Sequence, residues 1–402
     1  RYFMHQALSS PCLNVLADSE ASCFEDIEGR RYLDFHGNSA HQIGYKNSTV
    51  IDAIKAQLDT LPFSPRRYTN EPAIRLAKRL TKVAPMDEAR ILFAPGGAEV
   101  NSMALQYARQ ATGRFKTISF WESFHGGTLD TISVGGEAIF RSGAGPLMPG
   151  AFHVPPPGAN GSAWEESVAQ IEYVMEHEGD IASIIAEPIR CTNMHQPPAA
   201  YWQAVRDLCD RNGTLLIFDE IPIGLGRSGY MFCCEYANIA PDILTLGKGL
   251  GGGVLPLAAM IARADLNVAG DRAIGHFTHE KSPVACAAGN AVLDAIENDS
   301  LVQRAVTQGD RLTNGLKKMI EKHSRAVSVR GLGLLIALEL DAPSSQFADR
   351  LLYQCLELGL NFKTSGGRYV ILTPPLTVSN EEVDEAIVVL DSALTDLGGE
   401  ST

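Results

Sequence analysis

The middle of the chain alternates short apolar runs with segments of helical length, and this pattern strongly constrains the fold. The runs have the length and composition of buried strands: "ARILFAP" (89–95), "KTISF" (116–120), "IASIIAE" (181–187), "TLLIFDE" (214–220), "PDILTLGK" (241–248) and "LPLAAMIA" (255–262). Helical patterns lie between them at 99–112, 168–179 and 200–213. Apolar strands at helix-length spacing indicate βαβ units and a mostly parallel sheet covered on both faces. The sequence therefore predicts an α/β fold.

The two ends of the chain follow a different pattern. "SCFEDIEGRRYLDF" (22–35) predicts an antiparallel hairpin with its turn at Glu28-Gly29. "LIALEL" (335–340) and "YVILTP" (369–374) predict strands that precede a terminal helix. We therefore predict a large α/β domain over 46–295 and a small α+β domain that combines 1–45 with 296–402.

Composition limits the partners and the compartment. The chain has 402 residues, a formal net charge of −13 and no run of Lys and Arg, which argues against nucleic-acid and membrane surfaces. No apolar stretch approaches the roughly 18 residues of a membrane span. The eight cysteines lack the paired spacing of a zinc site, so we expect reduced thiols, no metal and a cytoplasmic protein. The chain opens at Arg1, and we expect a few further residues before it.

Two glycine-rich or aromatic stretches follow strands in the predicted sheet. Ligands of open α/β sheets bind outside the carboxyl ends of the strands. Gly96 and Gly97 open a helix, and its free amides suit a phosphate, although a tight turn is the ordinary alternative. Phe124 and His125 follow the next strand. An aromatic ring there covers a flat ligand or simply joins the core.

Two charged residues follow later strands. Asp219 comes after five residues that should be buried and needs a partner, such as a basic ring nitrogen or a helix end. Lys248 stands between an apolar run and several glycines. A lysine in a dry site loses its proton readily and attacks carbonyl groups. A phosphate, a flat ring, a basic ring nitrogen and an aldehyde together describe pyridoxal phosphate.

The same glycines also match a nucleotide-binding pattern. Gly247, Gly249 and Gly252 have the spacing of the dinucleotide fingerprint. However, "GGGVLPLAAMIA" leads into a predicted strand rather than the long helix that the fingerprint needs. Gly249 also stands where a P-loop would have Ser or Thr after Lys248. We therefore favour pyridoxal phosphate.

The chain resembles the class III aminotransferases, the ornithine and 4-aminobutyrate aminotransferase group of fold-type I pyridoxal phosphate enzymes, over nearly its whole length. The resemblance is carried by "EDIEGRRYLDFHGN", "LFAPGGAE", "SFHGGTLDTISVGG", "IIAEP", "LLIFDEIPIGLGRSG", "DILTLGKGLGGGVLPLAAMIA" and "TPPLTVSNEEVDEAI". It implies that Lys248 forms a Schiff base and moves protons, that Asp219 keeps the ring nitrogen protonated, and that the enzyme is a homodimer. The implied cofactor-binding residues are Gly97, Ala98, Phe124, which would stack on the ring, His125, Asp219, Lys248 and Thr278 of the partner subunit.

Four positions depart from the family pattern. Ala98 replaces the usual Ser or Thr, and Pro222 replaces a glutamine after the Asp-Glu pair. Ile371 occupies the place of an arginine that reads the carboxylate of glutamate or oxoglutarate. Thr192 occupies the place of the glutamate that shields this arginine. These replacements disfavour glutamate-dependent transamination, although they leave room for members that use pyruvate.

Several cationic and polar residues stand elsewhere near the expected site. The candidate substrate-binding residues are Arg66, Arg67, Tyr68, Arg190 and Asn38. Arginine offers a fixed fork of donors that suits a tetrahedral oxyanion, whereas a solvated loop is the ordinary alternative for Arg66 and Arg67. We interpret His36 and His41 as structural histidines rather than catalysts.

"FHGNSAHQIGY", "RRYTN" and "FDEIPIGLGRSGYMF" resemble a narrower branch of the family. That branch includes a lyase that releases ammonia from 2-amino-1-hydroxyethylphosphonate and gives phosphonoacetaldehyde. The resemblance favours such a lyase. The alternatives are an aminotransferase that moves an amino group from an ω-amino compound to an oxoacid such as pyruvate, and a catalytically silent binding protein. The retained Lys248 and Asp219 disfavour the silent protein.

Overall fold

The computed structural model describes residues 14–341 and 345–398, together with Met4, Gln6 and Cys12. Its strands are β1 (Leu16–Glu20), β2 (Cys23–Asp26), β3 (Arg31–Asp34), β4 (Ala89–Ala94), β5 (Lys116–Phe120), β6 (Ala151–Val154), β7 (Ile181–Ala186), β8 (Leu215–Asp219), β9 (Ile243–Leu246), β10 (Ala258–Arg263), β11 (Ala326–Leu332), β12 (Leu335–Leu340), β13 (Leu360–Asn361), β14 (Lys363–Ser365) and β15 (Tyr369–Leu372). Its α-helices are α1 (Ser48–Thr60), α2 (Glu71–Val83), α3 (Gly97–Thr112), α4 (Leu129–Val134), α5 (Ala138–Arg141), α6 (Trp164–Glu178), α7 (Ala199–Asn212), α8 (Pro283–Asn298), α9 (Leu301–Lys322), α10 (Ser345–Glu357) and α11 (Asn380–Gly398).

The central sheet has seven strands in the order β4-β10-β9-β8-β7-β5-β6. The pairs that join β6, β5, β7, β8 and β9 are parallel, and β10 is antiparallel to both of its neighbours. Every residue of β7, β8 and β9 is buried. The predicted mostly parallel, doubly covered sheet is therefore confirmed, and so is the prediction that the glycine-rich segment leads into a strand.

Alternate residues of β8 show how both faces of the sheet are covered. Leu216 and Phe218 belong to one buried apolar cluster, whereas Ile217 belongs to another. Helix α3 packs across β7, β9 and β10. Because side chains along a strand alternate between the faces, an apolar core on each side requires the continuous apolar run seen in the sequence.

Two smaller four-stranded sheets contain the remaining strands, in the orders β1-β2-β3-β13 and β11-β12-β15-β14. The hairpin β2–β3 is antiparallel and turns through Ile27 and Glu28, with Gly29 at φ +79°, as its sequence predicts. Strand β13 is parallel to β3, so one sheet joins segments from both ends of the chain. The domain ranges 1–45, 46–295 and 296–402 stay a prediction, and their outer ends, 1–3 and 399–402, lie outside the described residues.

One edge strand carries a weak sequence signal. The sequence patterns predict no strand at Ala151–Val154 and a helix only from residue 168, but the structure has β6 at Ala151–Val154 and begins α6 at Trp164. Three of the four β6 residues are only half-buried, so the strand lacks the continuous apolar run of its neighbours. Among the residues described, no helix is long and apolar enough to cross a membrane.

Candidate active site

The carboxylate of Asp219 lies at the carboxyl end of β8 and is 2% exposed. Its Oδ2 accepts a hydrogen bond from Asn101 Nδ2 at 2.8 Å and lies 2.9 Å from Nδ1 of His125. Its Oδ1 accepts from the backbone N–H of Ile221 at 3.1 Å. Three donors therefore fix a buried carboxylate, and Oδ1 keeps a lone pair for one further donor, such as a protonated ring nitrogen.

The side chain of Asn101 joins the elements that carry this carboxylate. Its Nδ2 also donates to the carbonyl oxygen of His125 at 2.8 Å, and its Oδ1 accepts from Thr245 Oγ1 at 2.7 Å. Asn101 is in α3, Thr245 is in β9, and His125 lies in the loop after β5. The fully buried amide of Asn101 thus links α3 to β8, β9 and this loop and fixes their relative positions.

The start of α3 offers free backbone amides beside this network. Gly96 is the N-cap and supplies no side-chain hydrogen bond, so the first amides of the helix have no side-chain partner. The region is tightly packed, because a Cβ on Gly126 would lie 2.7 Å from Cβ of Ala98. A helix N-terminus with unpartnered amides suits a phosphate group.

Lys248 follows β9 and opens a short 3-10 helix, Lys248–Gly251. Its backbone has φ +45°, an uncommon left-handed conformation for a residue with a side chain, and such strain is frequent at functional sites. A Cβ on Gly249 would lie 2.6 Å from Oε1 of Gln42, so the N-terminal segment packs closely on the loop that carries the lysine. Lys248 is half-buried and belongs to a tightly positioned backbone.

The side chains of Phe124 and Ile221 provide apolar surface in this region. Phe124 is half-buried, and its ring centroid lies 4.6 Å from that of Phe140. Cβ atoms on Gly97 and Gly247 would lie 2.9 Å and 3.1 Å from Ile221, so this side chain fills the space between the two glycines. Phe124 and Ile221 are the apolar groups available to contact a flat ring.

The arginine cluster lies on the rim. Arg66 Nε donates to Glu280 Oε1 at 2.9 Å, and Tyr68 is 61% exposed. Arg67 and Thr278 are also exposed. The structure therefore leaves these predicted contacts facing solvent in a single protomer, next to the segment that contains Thr278.

Arg190 is engaged by the protein itself. Its Nη2 donates to the carbonyl oxygen of Trp121 at 2.7 Å, and its Nη1 lies 3.1 Å from Glu122 Oε2. Glu122 is largely exposed and can move away, so the guanidinium is held at the site without being permanently neutralised.

The segment after β3 lies beside the lysine loop. Burial lowers the pKa of His36 to about 4, which keeps this side chain neutral at pH 7. His41 is buried, and its Nε2 lies 3.1 Å from the carbonyl oxygen of Asp34. Asn38 is exposed and has φ +49°. His41 thus has the burial expected of a structural residue, whereas His36 is half-buried and Asn38 is exposed.

A second buried carboxyl group lies just after β7. Glu187 is 6% exposed, and burial raises its pKa. The Cys191 thiol lies beside it, and burial raises the pKa of this thiol well above its usual value. The charges of Lys363 and Lys248 oppose that rise, which places Cys191 within electrostatic range of both amines.

These groups can hold a phosphorylated, carbonyl-bearing heterocycle. The α3 amides suit its phosphate, Asp219 has an acceptor position left for a ring nitrogen, and Lys248 supplies an amine. The fold and the site therefore define an α/β enzyme that activates amines on a lysine-bound carbonyl cofactor.

The comparisons identify the family. The class III aminotransferase family matches residues 5–394, and the chain belongs to it. A relative from Vibrio splendidus (strain 12B01), named (R)-1-hydroxy-2-aminoethylphosphonate ammonia-lyase, is 42% identical over 98% of this chain and 88% of its own length. The acetylornithine aminotransferase of Caldanaerobacter subterraneus is 33% identical over 95% of each chain. The solved amine transaminase of an uncultivated Pseudomonas species, in its PLP-bound form, matches with a TM-score of 0.91 and 30% identity over 98% of this chain and 99% of its own.

The matched structures have the fold-type I architecture, and the family uses pyridoxal phosphate. The predicted fold class, family and cofactor class are therefore confirmed. The roles assigned to single residues stay predictions, although the structure brings Asp219, His125 and the start of α3 together through Asn101.

Sequence reasoning missed three members of the site: Asn101, Thr245 and Ile221. Asn101 carried a usable signal, because it is a polar residue between Val100 and Met103 on the buried side of α3. Ile221 carried none, since one more apolar residue after β8 does not stand out from the core.

Proposed function

We propose that the chain is a pyridoxal phosphate-dependent lyase that releases ammonia from 2-amino-1-hydroxyethylphosphonate and yields phosphonoacetaldehyde. The observation that carries the proposal is the 42% identity to the Vibrio splendidus ammonia-lyase over 98% of the chain. The other relative named above is about ten percentage points less similar, at 33%. Departures from the family pattern within the site add independent support.

The residue at the position of the family's carboxylate-binding arginine, Ile371, supports the lyase. Ile371 is 2% exposed and lies in a buried apolar cluster with Ile189, Met194 and Ile223. A charged side chain at this position would have to be desolvated among apolar neighbours at a high cost. The site therefore lacks, at this position, the cation that glutamate-dependent transamination would use.

The residues of the chain supply the proton transfers and the electrostatics. Bound pyridoxal phosphate would supply an electrophilic carbonyl and a ring that withdraws electrons. Lys248 would remove a proton from the amine-bearing carbon of the substrate, acting as a general base. Asp219, oriented by Asn101 and His125, would hold a proton on the ring nitrogen.

The remaining steps balance without an oxidant or a second substrate. The hydroxyl group on the neighbouring carbon leaves with a proton as water, and a carbon–carbon double bond forms. The resulting enamine takes up water and releases ammonia. The net change is conversion of the amino alcohol into an aldehyde and ammonia, so no oxoacid acceptor is needed.

An ω-amino compound:oxoacid aminotransferase is the second candidate. The observation in its favour is that the Caldanaerobacter relative and the Pseudomonas structure are both named as transaminases. The two candidates differ in what they need for repeated turnover. An aminotransferase retains the amino group after one half-reaction and stops until an oxoacid accepts it.

The test is ammonia release by the holoenzyme incubated with 2-amino-1-hydroxyethylphosphonate and no oxoacid. We expect many turnovers for each active site and equal amounts of ammonia and phosphonoacetaldehyde. Addition of pyruvate or oxoglutarate should leave the rate unchanged. A single burst that either oxoacid converts into continuous turnover would establish the aminotransferase instead.

We also propose a homodimer in which Thr278 contributes to the phosphate site of the partner subunit. The exposed segments that contain Tyr68 and Thr278 are joined by the Arg66–Glu280 ion pair, and the Phe63 and His279 rings lie 5.4 Å apart. Exposed aromatic side chains on one rim fit burial against a second copy. Light scattering should give twice the mass of the chain, and a fully active monomer would contradict the proposal.

We propose a cytoplasmic location for this enzyme. All eight cysteines are free thiols, and burial raises the pKa values of Cys233 and Cys234 well above the usual range. Free, unreactive thiols fit a reducing compartment. Fractionation of the producing cells should recover the activity with cytoplasmic markers.

A further inference from the structure

Lys363 is a half-buried cation on β14, the outer strand of its sheet. Among the residues that the structure describes, none forms a hydrogen bond or an ion pair with its ammonium group. A lysine that is partly withdrawn from water and forms no ion pair is only partly compensated for its lost hydration. The side chain is therefore suited to an anion that arrives as a ligand.

The strand pairing fixes the direction in which Lys363 points. Its neighbour Thr364 donates a hydrogen bond to Asp349 of α10 at 3.2 Å, so Thr364 faces the helices. Successive side chains of a strand point to opposite faces, so Lys363 faces away from α10. Its register partner Ile371 shares that other face.

The face that carries Lys363 and Ile371 rests against the active-site end of the central sheet. Ile371 belongs to the same apolar cluster as Ile189 and Met194, which follow β7, and Cys191 packs against this cluster. Lys363 is thus one strand further out than Ile371, on the side of the molecule that contains Lys248.

Electrostatic effects place the ammonium group beside three segments of the site. Burial raises the pKa values of Glu137 and Cys191, and the charge of Lys363 opposes that rise. Burial lowers the pKa of His36, and the charge of Lys363 lowers it further. Cys191 also senses the charge of Lys248. Cys191, which packs against the cluster that contains Ile371, is therefore within electrostatic range of both amines.

We propose that the ammonium group of Lys363 binds the phosphonate oxygens of the substrate. This inference rests on the proposed function and names the cation that recognises the anionic end of the molecule. Lysine binds phosphate-like groups as a point charge, and the apolar neighbour Ile371 strengthens the attraction by excluding water. Arg190, paired with the exposed Glu122, is a second cation in this region, since both Arg190 and Lys363 lower the pKa of Glu137, which burial raises.

The test compares holoenzymes that carry Lys363→Met, Lys363→Arg or the control Lys318→Met, which removes one exposed charge from α9. With 2-amino-1-hydroxyethylphosphonate, Lys363→Met should raise KM about tenfold to a hundredfold and change kcat little. Lys363→Arg should restore most of the loss, and Lys318→Met should match the wild type. With ethanolamine, which lacks the phosphonate, Lys363→Met and the wild type should have the same kcat/KM.

The outcomes separate this inference from the proposed function. An active wild type with an unchanged KM in Lys363→Met would overturn the role of Lys363 and leave the lyase intact. If the wild type does not process the phosphonate, the proposed function fails, and thermal protection by methylphosphonate decides the role of Lys363. Protection of the wild type but not of Lys363→Met would support an oxyanion site for another substrate, and equal protection or none would overturn it.

Discussion

The cofactor half of the site and its rim are built on different principles. In the cofactor half, Asp219 is 2% exposed and held by three hydrogen-bond donors from its own chain. On the rim, Arg66 is paired with Glu280 and Tyr68 is open to solvent, and the more deeply placed Arg190 is paired with the exposed Glu122. The hydrogen bonds to Asp219 all come from its own chain, whereas the acidic partners of the two arginines are not buried.

The two regions differ in how firmly their charged groups are held. A buried carboxylate with fixed partners cannot reorganise cheaply, so its field acts on whatever is bound. Exposed ion pairs typically contribute about 0–1 kcal/mol and can exchange their partners. We therefore expect changes in the cofactor half to reduce the rate with every amine, and changes on the rim to affect only the substrates that carry the matching charge.

Replacement of Lys248 by Ala should have the largest effect. The variant loses both the amine that anchors the cofactor and the proton-transfer group, and the second loss alone typically costs about 10²–10⁴-fold in rate. We expect almost no turnover with any amine. The measurement is ammonia release, together with borohydride reduction and peptide mapping of the native holoenzyme. A cofactor label on another lysine would contradict the assignment.

Replacement of Asp219 by Asn should be the next largest. The amide keeps the size of the side chain but cannot hold a proton on the ring nitrogen as a carboxylate does. Loss of one preorganised electrostatic group typically costs about 2.7–4 kcal/mol, or roughly 10²–10³-fold in kcat. The loss should be equal for the phosphonate and for ethanolamine. Near-native kcat in a folded, cofactor-loaded variant would show that the carboxylate is only structural.

On the rim, replacement of Arg190 by Ala should raise KM for the phosphonate about tenfold to a hundredfold, because a charge-assisted hydrogen bond contributes about 1.5–3 kcal/mol. Arg66→Ala should have a smaller effect, since the Arg66 side chain is half exposed and already paired with Glu280.

Steady-state kinetics of the Arg190 and Arg66 variants with the phosphonate and ethanolamine provide the measurement. The matched change Glu122→Gln releases Arg190 and should lower KM. Unchanged KM in both Arg190→Ala and Glu122→Gln would place this arginine outside the substrate site.

The same contrast explains what the sequence could predict. Asp219 and Lys248 stand at the ends of apolar runs, where a charge is conspicuous because its burial needs a reason. The alternation of those runs also predicts the parallel sheet. By contrast, Arg66 and Arg190 are charged residues in loops, where charges are common. Arg66 pairs with Glu280, which is distant in the sequence, and Arg190 pairs with Glu122, so neither ion pair can be read from the sequence.

Other members of the site were beyond prediction for different reasons. Ile221 is apolar in an apolar region, so only the distances to the neighbouring glycines reveal that it lies between them. The position of Lys363 near the site depends on the pairing of β14 with β15, because that register puts its side chain on the same face of the sheet as Ile371. Strand β14 has three residues, too few for a periodic pattern to establish the register in advance.

The smallest effect on activity should come from Glu220, the residue next to Asp219. Asp219 faces a histidine and an amide side chain, whereas the oxygens of Glu220 accept backbone N–H bonds from Cys234 at 2.7 Å and Cys233 at 2.5 Å. Burial raises the pKa of Glu220 from 4.5 to about 7. Because the folded pKa lies above the unfolded one, this group favours the folded state most below about pH 4.5. That contribution is lost as the pH rises through about 7.

Replacement of Glu220 by Gln should remove this pH dependence and leave kcat nearly unchanged at pH 7. The stability of the wild type relative to the variant should fall between pH 4.5 and about 7, by at most about 3.5 kcal/mol, because each pKa unit corresponds to about 1.4 kcal/mol. Denaturant unfolding of both holoenzymes across this pH range provides the measurement. The absolute stability of the variant should be lower at acidic pH, since an amide cannot accept both backbone hydrogen bonds. A stability difference that is independent of pH would show that Glu220 keeps an ordinary pKa.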